Sequence, residues 1–159
     1  MRSPPSASRS SKGVETPVNR LLKGFVAGAA GTAAMTALQA ARVRTGRASP
    51  SSVPALAAER IFEVHPENGR QRALLNDLVH WGYGSSLGAL RAGLGGMGLS
   101  PPLAAAAFFG LVWATELAVL PAVRVAPPPT EWGAGELASD ALAHLVYAAA
   151  TTLAYEALR

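Results

Sequence analysis

Two stretches of this chain carry the same polar signature 64 positions apart. Asn76-x-x-x-His80-x-x-Tyr83-Gly84 corresponds to Asp140-x-x-x-His144-x-x-Tyr147-Ala148. A neutral imidazole takes up and gives back a proton near physiological pH, and a nearby carboxylate can relay it. On a helical period Asp77, His80, Gly84 and Arg91 form one stripe, and Asp140, His144, Tyr147, Thr151 and Tyr155 form another. Glu116 adds one more ionisable group, isolated in an apolar run. The residues with chemistry to offer are therefore Asp77, His80, Tyr83, Glu116, Asp140, His144 and Tyr147. They do not make a soluble-type active site: there is no phosphate loop, no His-x-x-x-His pair and no serine nucleophile motif. The chain has no cysteine, which excludes a disulfide scaffold and a thiol-ligated metal. A non-enzymatic protein is expected, with no catalytic residues, no metal ligands and no cofactor.

These polar groups sit inside stretches that are otherwise almost free of charge. Gly24 to Ala41 has none, and Leu78 to Leu90 is uncharged between Asp77 and Arg91. Leu103 to Val123 carries only Glu116, and Leu137 to Leu158 contains Asp140, His144 and Glu156. About 20 helical residues cross the ~30 Å of a bilayer core. The spacing predicts an all-α fold: a four-helix transmembrane bundle with spans at about 21–41, 73–92, 103–123 and 137–158. A single domain over 21–159 follows a disordered polar tail over 1–20, which is rich in serine and proline.

Composition agrees with a membrane environment. Half of the 159 residues are apolar and only 15% are charged, against roughly a quarter in soluble domains. The soluble alternative is an alanine-rich helical bundle. It requires polar helix faces, and Gly24–Ala41 has none. Phe108, Phe109, Leu111, Val112 and Trp113 likewise cover every side of the third helix. Its Leu, Phe and Val residues favour insertion by roughly 3–5 kcal/mol, against about 3 kcal/mol for Glu116. The net charge of +4 does not mark a nucleic-acid partner, because the basic residues form no stripe with aromatics. The expected partners are the lipid bilayer and a second copy of the chain.

The connections have their own signals. Val53, Leu56, Ala57, Ile61 and Val64 share one face after Ser51, Ser52 and Pro54, which predicts an amphipathic helix on the bilayer surface. The His65-Pro66-Glu67-Asn68-Gly69 turn ends it. Ser100-Pro101-Pro102 opens the third helix, and Pro127-Pro128-Pro129 with Trp132 breaks the chain before the fourth. Lys and Arg divide evenly between the two sides of the bilayer, so orientation rests on a preference for both termini in the cytoplasm.

Ionisable groups at membrane depth are expected to face the bundle interior or a wet cavity. They could line a route for protons or a small solute, or serve only as interhelical glue worth about 0.6–2 kcal/mol each. Arg91 and Glu156, near span ends, are expected to snorkel to the headgroups. A different possibility places His80 and His144 as paired axial ligands of a haem between the second and fourth spans. Gly24, Gly28 and Thr32 on the first span and Gly84 and Gly88 on the second form small-residue seams, for packing within the chain or across a dimer. The matched signatures suggest two parallel helix-pair repeats.

The motifs Gly28-x-x-Gly31-Thr32-x-x-Met35, His80-x-x-Tyr83-Gly84, Pro127-Pro128-Pro129-x-x-Trp132 and His144-x-x-Tyr147 resemble those of small bacterial multi-pass membrane proteins, among them the YagU-like inner-membrane family. The likeness covers about residues 20–158. It implies an integral protein of the bacterial inner membrane and brings no catalytic residues with it.

Overall fold

The computed structural model describes residues 16–159. Among them are five α-helices and no strand: α1 (Pro17–Arg44), α2 (Val53–Phe62), α3 (Gly69–Gly96), α4 (Pro101–Ala122) and α5 (Ala134–Leu158). Residues 1–15 of the expected tail over 1–20 lie outside the described residues. Its last residues are already helical, because the Thr16 side chain accepts from the Asn19 amide and Pro17 suits the first turn. At the start of α3, Asn68 accepts from the Gln71 amide at 3.0 Å while Gln71 reaches back to accept from the amide of Glu67. Pro101 and Pro102 open α4, and Arg124 with φ 58° turns the chain after it.

The four long helices form a bundle in which α1 lies along both α3 and α5, and α4 closes the side between α5 and α3. Glycine makes the α1/α3 contact possible. A Cβ on Gly24 would stand 2.6 Å from the carbonyl oxygen of Gly88, and one on Gly28 would stand 2.7 Å from that of Gly84. Gly31 similarly faces Thr151 and Tyr147 of α5. The two seams therefore mesh with each other inside one chain, which leaves neither free as a dimer face. Phe108, Val112, Tyr147, Ala148, Leu94 and Ala104 form the principal apolar cluster.

The polar and apolar surfaces are distributed as in a membrane protein. Arg91, His144, Thr32, Thr151 and Thr152 are buried, while Phe25, Val26, Leu78, Leu103, Leu111, Leu145 and Leu153 face outward. Outward leucines cost little in hydrocarbon, and inward polar groups there must find partners. Three helices, α1, α4 and α5, are long and apolar enough to cross a membrane. The sequence reading gives four spans, and α3 is the exception. It has the length, 28 residues, but its glycines, Ser85, Ser86, Asn76 and His80, together with Asp77 and Arg91, dilute its apolar residues too far to qualify on composition. Its stability in a bilayer must come from its neighbours.

The short helix α2 forms where the amphipathic helix is expected, and it packs on α3. Ala55 and Ala58 are its buried residues, and Ile61 and Phe62 are exposed. The Asn76 side chain accepts the Ala55 amide at 3.2 Å, and Arg72 pairs with both oxygens of Glu59 at 2.7 and 3.1 Å. Glu63 ends the helix in the left-handed conformation, φ 52°.

Candidate functional site

A cavity of about 520 Å³ opens at the end of the bundle where α1 and α4 finish and α3 and α5 begin. All seven polar residues singled out from the sequence line it: Asp77, His80, Tyr83, Glu116, Asp140, His144 and Tyr147. α2 supplies one wall through Val53, Pro54, Ala57 and Ile61. Their depths differ. His144 and Tyr147 are buried, His80, Glu116 and Asp140 are half-buried, and Asp77 and Tyr83 are exposed.

The two imidazoles have different surroundings. His80 Nε2 lies 2.9 Å from Thr36 Oγ1, and that hydroxyl lies 2.8 Å from the Thr32 carbonyl. A carbonyl can only accept, so the single hydroxyl proton goes to Thr32 and the His80 Nε2–H donates to Thr36. Every proton in that chain has a place. His144 stands across the cavity, where Nδ1 is 3.0 Å from the carbonyl oxygen of Asp140 one turn earlier and therefore donates. Its Nε2 meets a carboxylate oxygen of Glu116 on α4. In a neutral imidazole Nε2 is then an acceptor, and it faces another acceptor. The contact requires positive charge between the two, or a proton on one of them.

Asp140 is held from outside this pair. Trp113 Nε1 donates to its Oδ2 at 2.8 Å, one turn before Glu116 on the same helix. The Trp113 ring stacks on Phe109 with centroids 5.5 Å apart. The Tyr147 hydroxyl donates to the Gly84 carbonyl at 2.6 Å, tying α5 to α3 behind the cavity. At the mouth of a neighbouring surface cleft, Arg42 binds both the carbonyl and the hydroxyl of Ser139, just before Asp140.

In both helix pairs, the second helix turns its histidine onto a polar side chain of the first: His80 onto Thr36, His144 onto Glu116. The pairs are not equivalent in packing, because α1 contacts α5 extensively as well as α3. The geometry does not favour a haem between His80 and His144, since the His80 Nε2–H is already committed to Thr36 on α1.

At the opposite end of the bundle lies a polar knot that a snorkelling arginine would not make. Arg91 is fully buried. Its Nε donates to Thr152 at 3.1 Å and its guanidinium to Glu156 at 2.7 Å, over the Tyr155 ring at 5.1 Å. Gly95 leaves room for the side chain, and Glu156, 65 residues away, supplies the opposite charge inside the bundle. Thr36, Trp113 and the α2 wall are site components that the sequence reading misses. The only available signal is that Trp113 shares a helix face with Glu116. No protein-family model matches the chain, and no curated protein or solved structure is significantly similar to it, so the residues themselves must carry any reading of function.

Proposed function

We propose that this chain is a multi-pass integral membrane protein whose polar cavity admits protons or a small solute from one side of the bilayer. The proposed setting is the bacterial inner membrane, with both termini cytoplasmic and a YagU-like kinship resting on the short motifs above. His144 carries the proposal. With Nδ1–H committed to the Asp140 carbonyl, the Nε2–Glu116 contact is stable only when a positive charge or a proton sits there. A group used purely as glue is better served by the arrangement at His80, where each donor has one acceptor. Such a poised acceptor pair in an open cavity is suited to taking up and releasing its occupant.

Two measurements test this. Sodium carbonate treatment of membranes should leave the chain in the pellet; release into the soluble fraction ends the membrane assignment. Proteoliposomes loaded with a pH-sensitive dye should dissipate an imposed proton gradient faster than protein-free vesicles, and His144→Ala should abolish the difference. If correctly inserted protein gives no flux of protons or of any solute tried, the cluster is structural glue and the chain is a scaffold.

A further inference from the structure

We propose that Glu116, Asp140 and His144 form a binding site for a divalent first-row transition-metal ion such as Mn²⁺, Fe²⁺ or Zn²⁺. This rests on reading the cavity as an entry site for a positively charged occupant, and it names the class of that occupant. Each residue offers one ligand atom, and the three atoms lie within 4.8 Å of one another. Donors sharing one ion at about 2.0–2.2 Å stand roughly 3–4.4 Å apart, so the Glu116 carboxylate and His144 Nε2, now in direct contact, separate to admit the ion while Asp140 draws in.

Three features distinguish this cluster from an ordinary acidic patch. First, the donors come from two helices: Asp140 and His144 are one turn apart on α5, and Glu116 faces them from α4. Second, the supporting contacts are those of a metal ligand set. A ligating imidazole donates its other N–H to a carbonyl or carboxylate, which fixes the tautomer and aims the lone pair. His144 does this with the Asp140 carbonyl, and Trp113 orients the Asp140 carboxylate in the same way. Third, the charges call for a dication. Among the described residues the only ion-pairing partner of Glu116 and Asp140 is His144, which is neutral as a ligand. Two carboxylates in an apolar bundle are then balanced by a 2+ ion, where a single proton would leave net negative charge.

The donor set also selects the ion. One imidazole nitrogen with two carboxylate oxygens suits borderline first-row dications, and the lack of cysteine disfavours soft Cu(I). Three protein ligands leave coordination positions open toward the cavity, so the ion can enter, exchange water and leave. His80 is not part of the set, because its Nε2–H is used by Thr36.

The test uses the full chain in mild detergent, stripped with a chelator and then titrated with Zn²⁺ and separately with Mn²⁺. One ion per chain should remain after desalting, and Glu116→Gln, Asp140→Asn and His144→Gln should each weaken binding at least tenfold. His65→Gln, in the exposed turn, should bind as the parent does. X-ray absorption on the Zn²⁺-loaded parent should report one imidazole nitrogen among oxygen donors, a readout that no variant needs to fold for. Failure of the parent to hold a stoichiometric ion overturns the proposal, as does an all-oxygen shell or undiminished binding in His144→Gln. Proton flux without metal binding defeats the metal site and spares the translocation reading. A stoichiometric ion with no flux of any kind does the reverse.

Discussion

The two ends of this bundle solve the same problem in opposite ways. At one end Arg91 enters the interior together with its own counter-charge, Glu156, and two further contacts from α5. At the other, Glu116, Asp140 and His144 gather with more acceptors than donors beside an open cavity. A polar group buried for structure brings its partner with it. A polar group buried for binding leaves a vacancy of charge that something from outside must fill. The difference is whether the counter-charge comes from within the chain, even though Arg91 Nη1 is left without a hydrogen-bond partner, and it predicts where mutation hurts stability and where it hurts function.

The largest effect on stability is expected at the closed end. Arg91→Leu strips the partner from Glu156, and breaking a buried pair by removing one member costs on the order of 3 kcal/mol. Partial exposure of Glu156 and its second contact with Arg159 at 3.1 Å soften that figure. Thermal unfolding in detergent should show a marked loss for Arg91→Leu and substantial recovery in Arg91→Leu/Glu156→Leu. If the double variant is no better than the single one, Arg91 acts through its packing and not its charge.

Close behind comes the glycine seam that brings α3 against α1. Gly28→Ala puts a methyl group against the Ser85 and Gly84 carbonyls, and overpacking of this kind costs roughly 1–3 kcal/mol. Gly110 on α4 is the internal control, since a Cβ there meets nothing within 4 Å. Gly110→Ala should be neutral or stabilising by about 0.5–1 kcal/mol through helix propensity alone. Equal melting temperatures for the two variants would mean that α1 and α3 do not approach as described.

The two histidines should separate function from stability. His80→Gln removes one satisfied hydrogen bond, worth about 0.5–1.5 kcal/mol, and should leave most proton flux intact. His144→Gln should eliminate flux in proteoliposomes while the protein remains folded and monodisperse. Parallel losses in both variants would remove the distinction between the two sites and favour a single continuous relay.

How much of this was legible in the sequence follows from what periodicity can carry. Ionisable residues inside apolar runs stand out by contrast, so the seven ionisable groups that line the cavity could be named. Pro101 and Pro102 mark the start of α4, whereas α1 and α3 begin four residues before the spans read from the apolar runs, at the caps Thr16 and Asn68. Arg91 could not be placed, because an arginine near a helix end snorkels by default and only a partner 65 residues away turns it inward. The same limit hides the convergence of Glu116 on His144: helical spacing relates residues on one helix, and this contact joins two. It also hides the place of α3 in the bundle, which depends on Gly24 and Gly28 of another helix.

The smallest expected effect concerns the cavity wall, and it asks whether the open end is open all the time. α2 is held to α3 by the Asn76–Ala55 hydrogen bond and by the Arg72–Glu59 pair, whose side chains are 46% and 23% exposed. An exposed pair is worth only about 0.2–1 kcal/mol, so Glu59→Gln should barely move the melting temperature. Its local consequence should be larger than its global one, because α2 is a ten-residue helix that packs chiefly on α3. Hydrogen–deuterium exchange should accelerate in α2 in Glu59→Gln and more so in Asn76→Ala, while the α4 and α5 segments around Glu116 and His144 stay protected. Metal affinity should be nearly unchanged, because no ligand moves, but the ion should leave faster when one wall of the cavity is loosened. If exchange rises equally in α2 and α5, α2 is part of the bundle core, and the cavity has no wall that can open independently of the site.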